Sequence, residues 1–300
     1  MLVTTGLEVR LAASQILILE RSCPPNTTSI ETYDQLQRAH NLTGIAAPPI
    51  FTGRHHYLCR ALGSPVVSKW YSCLPISGRK DEPFCVASDR RDLLVSQSPS
   101  TLCFARVLHL LLHDVYATLK AFEAQPALLY GTLLAAVRNG AIIPFTEDVD
   151  IGRDPRLGVV KDALARRGYH MFMDNIWRVC VAPTHPLAKS LFDPRVRIPV
   201  RGCTGPYVDL YAMQQRSGLW HVQEARQWHN SNLTDAKMVP YSQESVNGEL
   251  FDTVADPIDF LMAEYGQGYV TPKRRPSLWS SLAQSEVEWP LRIKNIRQAT

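Results

Sequence analysis

The sequence of 300 residues lacks several patterns that would assign it to a specialised class of protein. It has no run of about 20 apolar residues, the length that a membrane-spanning helix needs. None of its seven cysteines forms a Cys-x-x-Cys pair, which argues against a zinc ribbon or a thioredoxin-like motif. Its 32 basic and 28 acidic residues leave a net charge of +4 and form no basic stripe, so nucleic acid is not favoured as a partner.

The composition is that of a folded globular protein, since 45% of the residues are hydrophobic and can bury a substantial core. Prolines interrupt residues 1–100 before any long helix could form, so we predict an irregular Pro- and Cys-rich N-terminal region, or stem, there. A folded domain is predicted over residues 101–280, followed by a C-terminal tail over residues 281–300.

Cysteines and glycosylation sequons bear on the cellular compartment. Four cysteines cluster in and just after the first hundred residues: Cys59, Cys73, Cys85 and Cys103. Disulfides and buried free thiols both explain this cluster, and both remain open. Three sequons begin at Asn26, Asn41 and Asn232. We therefore expect a glycoprotein of the secretory pathway or Golgi lumen, with the cytoplasm as the alternative. No membrane anchor is visible in this chain, and we expect any anchor to lie upstream of Met1.

From Ser100 onward, helical and strand patterns alternate closely. The predicted helices cover residues 101–122, 133–138, 157–167 and 257–265, with Thr132 as the N-cap of the second and Asn139-Gly140 as its stop. The predicted strands cover residues 127–130, 142–143 continuing into 148–151, 169–172, 177–182 and 207–213. This alternation predicts an α/β (α+β) fold with a mixed sheet flanked by helices.

Two aspartates in one predicted strand form the first candidate site. Asp148 and Asp150 are two residues apart, so on a strand they project from the same face. Neighbouring carboxylates repel each other and are costly to bury, and a divalent cation removes that cost. Oxygen ligands of this kind favour Mg²⁺ or Mn²⁺.

An upstream glycine and a downstream aspartate fit the same chemistry. Gly131-Thr132 opens a predicted helix, where backbone N–H groups bind phosphate, and Asp209 on a later strand is the candidate third carboxylate. Each feature alone has an ordinary explanation, as a turn glycine, a solvent-facing acid or a structural aspartate. Occurring in this order, the three features support one another.

The stretch from Tyr130 to Gly140, followed by Ile142 to Phe145 and Asp148 to Ile151, resembles the signature of the LicD family, which includes bacterial phosphocholine transferases, fukutin and fukutin-related protein. Weaker similarity around Asp209 and at Tyr265-Gly266 extends the resemblance over residues 101–275. The sequence departs from the signature at Ala135, at Phe145 and at Thr146-Glu147, where the family usually has glycine, tryptophan and two acids.

The resemblance implies a nucleotidyltransferase fold that transfers a phospho-alcohol, such as phosphocholine or ribitol phosphate, from a CDP-activated donor to a glycan or glycoprotein acceptor. It implies Mg²⁺ or Mn²⁺ as cofactor. The catalytic and metal-binding residues would be Asp148, Asp150 and Asp209, with Asp209 as third ligand or as base. The substrate-binding residues would be Gly131, Thr132 and Arg138.

Two other functions remain open from the sequence. A nucleotidyltransferase that acts on RNA or on a small molecule needs the same carboxylates, although the chain shows no basic groove with interleaved aromatic residues. A catalytically inactive binding protein would keep the fold without the reaction, and the intact carboxylates argue against it.

Overall fold

The computed structural model describes part of the chain in detail. The described residues are 49, 51–55, 58, 70–78, 103–143, 146–155, 157–196, 205–222, 224 and 232–271. The predicted C-terminal tail and most of the predicted N-terminal region lie outside these residues, as do Pro144 and Phe145 of the signature.

The described part consists of helices packed against one extended sheet. Its α-helices are α1 (Ala105–Ala121), α2 (Tyr130–Asn139), α3 (Gly158–Arg166), α4 (Ala188–Leu191), α5 (Asp235–Met238) and α6 (Pro257–Tyr265). Its strands are β1 (Ala127–Leu128), β2 (Asp148–Arg153), β3 (Tyr169–Asp174), β4 (Ile176–Val181), β5 (Tyr207–Arg216), β6 (Leu219–Val222), β7 (Asn232–Thr234), β8 (Ser242–Val246) and β9 (Glu249–Thr253). Short 3-10 helices occur at Gly53–His55, Trp70–Ser72 and Gln267–Val270. Among these helices none is long and apolar enough to cross a membrane.

The sheet has the order β3-β4-β5-β2-β1-β9-β8, and β6 and β7 extend it from the far end of β5. The pairs β2–β5 and β1–β9 are parallel, and the other pairs are antiparallel. The predicted fold class, a mixed sheet flanked by helices, is therefore confirmed.

Helix α1 forms where the apolar spacing predicts it, because its leucines at three- and four-residue intervals are fully buried against the sheet. These include Leu108, Leu111, Leu112 and Leu119. The predicted start at Thr101 lies outside the described residues. Helices α1 and α3 pack together on one side of the central strands, while α2 and α6 pack against each other beside β2 and β8.

The start of α2 differs from the prediction. The predicted strand over 127–130 is shorter, and Tyr130 already opens the helix, with Leu129 at the N-cap and a positive φ of 42° at Tyr130. The prediction of Thr132 as N-cap is therefore wrong. In the first turn the acceptor comes from strand β2 instead of the N-cap residue, because the carboxylate of Asp150 accepts a hydrogen bond from the Thr132 amide. The predicted stop is confirmed at Gly140, which has a φ of 62°.

Other strand predictions differ as well. Ile142 and Ile143 are not in a strand, and β2 begins only at Asp148. The β8–β9 hairpin, joined by Asn247-Gly248, was not predicted, although Asn-Gly between two strand-like runs is a strong hairpin signal.

A segment from the N-terminal region packs against strands β3, β4 and β5. Cys73 forms a disulfide with Cys180 of β4, and the Leu74 amide donates to the Val181 carbonyl at 2.8 Å. Cys103 is also disulfide-bonded. Of the two explanations for the cysteine cluster, disulfides therefore hold for Cys73 and Cys103, and the partner of Cys73 lies 107 residues further along the chain.

Candidate active site

Three carboxylates converge on one face of the sheet. Asp148 and Asp150 lie on β2, and Asp209 of the parallel strand β5 is in register with Asp150. One carboxylate oxygen from each of the three lies within 4.8 Å of the others. Asp150 and Asp209 are buried and Asp148 is half-buried. The grouping expected from the sequence is therefore present, and the roles assigned to these residues stay predictions.

The N-terminus of α2 is built around Asp150. The Thr132 amide donates to Asp150 Oδ2 at 3.3 Å, and the Asp150 amide donates to the Thr132 hydroxyl at 2.6 Å. Gly131 makes this close approach possible, because a Cβ atom there would lie 3.1 Å from Asp150 Oδ2. These reciprocal contacts fix the Asp150 carboxylate at the positive end of the helix.

The electrostatics of the cluster favour a bound cation. Burial, together with the neighbouring Asp148 and Asp209, raises the pKa of Asp150 well above its ordinary value. Burial also raises the pKa of Asp209 to about 6, although the Arg178 guanidinium opposes this shift. Neighbouring buried carboxylates repel one another when all of them are ionised, and a divalent cation offsets this repulsion. Three carboxylate oxygens suit Mg²⁺ or Mn²⁺. The residues present thus fit such an ion.

Arg178 on β4 lies beside Asp209, and the sequence analysis did not identify it as a site residue. It is in register with Asp209, and its Nε donates to Asp209 Oδ1 at 2.8 Å. Its Nη1 donates to Asp174 Oδ2 at 2.7 Å, so the guanidinium is shared between two carboxylates. The available signal was a basic residue within an otherwise apolar predicted strand, where a charged side chain needs a buried partner.

Two adjoining aromatic rings pack against the guanidinium. Its central carbon lies 5.2 Å from the ring centroid of Trp70 and 4.8 Å from that of Tyr207. The indole N–H of Trp70 donates to Asp174 Oδ2 at 3.0 Å. The Trp70 segment, residues 70–76, thereby contributes directly to the surroundings of the carboxylates.

A second group of aromatic residues lies beside the carboxylates. The Tyr130 ring packs against Tyr211 at a centroid distance of 4.7 Å and against Phe260 at 5.5 Å. Burial, and then the charge of Asp150, raise the pKa values of Tyr211 and Tyr265. Their hydroxyls therefore remain hydrogen-bond donors at every physiological pH.

The other predicted substrate-binding residues lie at different distances from the site. Gly131 and Thr132 are in the first turn of α2, with the Thr132 amide bonded to Asp150. Arg138 is in the last turn of the same helix, about 9 Å further along its axis. Glu147 is exposed. The phosphate-binding roles of Gly131, Thr132 and Arg138 stay predictions.

Three convergent carboxylates beside a helix N-terminus are suited to metal-dependent phosphoryl transfer. Residues 125–248 match the family model described as LicD/FKTN/FKRP, nucleotidyltransferase domain. Residues 125–248 therefore form a domain of the LicD type, which suggests a transferase. The matched segment includes Asp148, Asp150, Arg178 and Asp209 and leaves out Trp70. A comparison with curated proteins found no match.

Proposed function

We propose that this protein is a metal-dependent phosphotransferase that moves a phospho-alcohol, such as phosphocholine or ribitol phosphate, from a CDP-activated donor to a hydroxyl of a glycan or glycoprotein. The observation that supports it best is the convergence of Asp148, Asp150 and Asp209 within 4.8 Å, inside a LicD-family domain. The donor and the acceptor are inferred from the family resemblance.

Each aspartate of the cluster has a proposed role in this reaction. Asp148 and Asp150 would hold Mg²⁺ or Mn²⁺, and Asp209 would be the third ligand or the base that takes the acceptor's proton. The ion, when bound, would neutralise charge on the donor phosphates. Thr146 donates to Asp148 Oδ1 at 2.7 Å and so orients that carboxylate.

The reaction proposed is an exchange at phosphorus. The acceptor oxygen forms a bond to the phosphorus that carries the alcohol, and the bond from that phosphorus to the CMP oxygen breaks. The acceptor loses its proton, and CMP leaves with the electron pair. Tyr211 and Tyr265, held as hydrogen-bond donors beside the carboxylates, are suited to contact phosphate oxygens in this space.

The test begins with a thermal-shift screen of CDP-alcohols and sugar nucleotides with Mn²⁺, because ligands of the folded state raise the melting temperature. A stabilising donor is then incubated with glycan acceptors, and products are identified by mass spectrometry. We expect transfer of the phospho-alcohol with release of CMP. Asp150→Asn should abolish transfer while the chain stays folded, and retained transfer would refute the site assignment.

The same assay separates the alternatives. A nucleotidyltransferase would attach the cytidylyl group and release the phospho-alcohol, so the product masses decide between the two. An inactive binding protein would shift its melting temperature with a ligand and yield no product. A chain that shifts with neither Mn²⁺ nor any nucleotide would refute all metal-dependent transfer by this site.

We also propose a secretory or Golgi lumen location, supported by the Cys73–Cys180 disulfide, since such bonds persist in oxidising compartments. The chain purified from secretory membranes should resist alkylation at both cysteines until it is reduced. It should also lose mass on treatment with a peptide N-glycosidase. A chain whose cysteines alkylate without reduction, and which carries no glycan, would point to the cytoplasm instead.

A further inference from the structure

Arg178 connects the carboxylate cluster to a part of the chain that lies far away in sequence. It binds Asp209 at 2.8 Å on one side and Asp174 at 2.7 Å on the other. Trp70 covers the guanidinium and donates to the same Asp174 oxygen. Trp70 stands outside the segment that matches the LicD family.

We propose that Arg178 is a positioning residue that fixes the Asp209 carboxylate for metal binding, and that the Trp70 segment, tied down by the Cys73–Cys180 disulfide, holds Arg178 in place. This inference rests on the metal-dependent function proposed for the same site. It makes residues 70–76 an integral part of that site.

The geometry supports the first half of the proposal. Asp209 Oδ1 accepts from Arg178 Nε, which fixes the rotation of the carboxylate and keeps its second oxygen available for an ion. Arg178 is itself fixed, because its planar guanidinium bonds to a second carboxylate and packs against two adjoining rings. A carboxylate without this partner would sample several rotamers, and part of its binding energy would be lost in ordering it.

The Cys73–Cys180 disulfide supports the second half of the proposal. Cys180 is two residues after Arg178 on β4, so both side chains project from the same face. Its bond to Cys73 holds the Trp70 segment beside Arg178, and the Leu74–Val181 hydrogen bond continues the attachment. Trp70 is only 6% exposed, and its ring shields one side of the Arg178 guanidinium from water.

The direction in which cation affinity changes when Arg178 is removed distinguishes a positioning role from a purely electrostatic one. If Arg178 acted only through its charge, its loss would strengthen cation binding, since a positive neighbour would be gone. If it positions Asp209, its loss weakens cation binding. Loss of the hydrogen-bond partner of a metal ligand typically weakens metal affinity roughly 10- to 100-fold.

The experiment uses Mn²⁺ alone as the probe and the full oxidised chain, with free Mn²⁺ followed by electron paramagnetic resonance. Arg178→Met should raise the Kd for Mn²⁺ roughly 10- to 100-fold. Arg178→Lys keeps the charge but lacks the two separate guanidinium nitrogens that contact Asp209 and Asp174, so its Kd should lie between those of the wild type and Arg178→Met. Folded Arg178→Met that binds Mn²⁺ as tightly as the wild type, or more tightly, overturns the proposal.

The matched control is Arg167→Met. Arg167 pairs with Asp114 at 2.6 Å, away from the carboxylates, so its loss should leave the Kd for Mn²⁺ unchanged. Unfolding midpoints are measured for each variant. If Arg178→Met does not fold, Arg178→Lys and Trp70→Phe decide the question, because both should still weaken Mn²⁺ binding.

A second test measures whether the effect of an Asp209 substitution depends on Arg178. Asp209→Asn should weaken Mn²⁺ binding strongly in the wild type and much less in Arg178→Met, because the carboxylate is no longer held there. Equal losses in both backgrounds would overturn the positioning role. Joint replacement of Cys73 and Cys180 by alanine should raise the Kd several-fold, and an unchanged Kd would overturn the tether. A wild-type chain that binds no Mn²⁺ would instead refute the proposed function itself.

Discussion

Each face of the central sheet carries a cluster of polar side chains, but the charges are matched in only one of the two clusters. On the first face, Asp148, Asp150 and Asp209 converge, and Arg178 serves both Asp209 and Asp174. On the opposite face, acids and bases are matched. We therefore expect the matched cluster to serve structure and the unmatched cluster to bind a ligand.

The opposite face shows how a structural cluster is satisfied. Asp114 of α1 accepts hydrogen bonds from Arg167, at 2.6 Å, and from the Tyr169 hydroxyl. The Leu187 amide donates to His185 Nδ1 at 3.1 Å, so Nε2 carries the ring proton and donates to Tyr169 at 3.0 Å. Every member has a partner of the right kind, and no further ion is needed.

The carboxylate cluster is organised differently, because the hydrogen bonds to Asp148 and Asp150 orient these two acids without neutralising them. The Thr132 amide and the Thr146 hydroxyl donate to Asp150 and to Asp148, but neither brings a full positive charge. Buried repulsion of this kind costs free energy in the absence of a ligand. A divalent cation would offset this cost, and the three carboxylates are close enough together to hold one.

The largest expected effect comes from replacing one aspartate by asparagine in each cluster. Asp150→Asn removes an ion ligand and should raise the Kd for Mn²⁺ at least about 100-fold, while the unfolding free energy stays the same or increases because repulsion is relieved. Asp114→Asn should lower the unfolding free energy by roughly 1 to 3 kcal/mol and leave the Kd unchanged. Denaturant unfolding and Mn²⁺ titration of both variants check this. A loss of Mn²⁺ binding in folded Asp114→Asn would contradict the division between the faces.

Two glycines sharpen the same comparison. A Cβ at Gly168 would lie 2.3 Å from the Cα of His185, and its φ is 84°, so Gly168→Ala should cost roughly 2 to 5 kcal/mol. A Cβ at Gly131 would meet only a side-chain oxygen of Asp150, at 3.1 Å. Gly131→Ala should therefore change stability little and weaken Mn²⁺ binding by displacing that carboxylate. Equal stability losses in the two variants would show that Gly131 is a structural glycine.

When metal is absent, the contributions of the two clusters to the free energy of unfolding should change with pH in opposite directions. Burial lowers the pKa of His185 below 6.5, so its contribution to stability is present above pH 6.5 and is lost as the pH falls. Burial, then Asp148, raises the pKa of Asp150 above 3.8, so its contribution is present below pH 3.8 and is lost as the pH rises.

Unfolding free energies measured against pH in a chelator test these signs. The wild type should lose its advantage over His185→Gln as the pH falls below 6.5, and it should lose stability relative to Asp150→Asn as the pH rises above 3.8. Saturating Mn²⁺ should cancel the second trend and leave the first. A pH dependence with the same sign in both comparisons would be inconsistent with the two environments.

Much of the carboxylate site could be predicted from the sequence because it depends on local geometry. The spacing of Asp148 and Asp150 determines their shared face on any strand, and Asp209 lies within a run that reads as a strand. The helix α1 and the stop of α2 at Gly140 follow in the same way from periodicity and from a positive φ. These features need only a few neighbouring residues.

The parts that were missed depend on long-range pairing. The register that sets Arg178 beside Asp209 arises from how β4 pairs with β5, and no local pattern specifies it. The same holds for Trp70 and for the bond from Cys73 to Cys180, which join residues more than 100 positions apart. Thr132 was misassigned as an N-cap because the group that satisfies the helix comes from another strand.

The smallest expected effect comes from two buried threonines, one in each cluster. Thr132→Val leaves the buried amide of Asp150 without its hydroxyl acceptor, which should cost about 1 to 2 kcal/mol and raise the Kd for Mn²⁺ slightly, since Asp150 is then less well held. Thr118→Val removes a hydroxyl that accepts a hydrogen bond from Arg167 at 2.8 Å. Because the same Arg167 nitrogen also donates to the Asp114 carbonyl at 3.2 Å, we expect the unfolding free energy to fall by only about 0.5 kcal/mol. The Kd for Mn²⁺ should not change. Chemical denaturation and Mn²⁺ titration of both variants measure these differences. If Thr118→Val shifted the Kd while Thr132→Val did not, the hydrogen bond from Asp150 to Thr132 would have no part in holding the ion ligand.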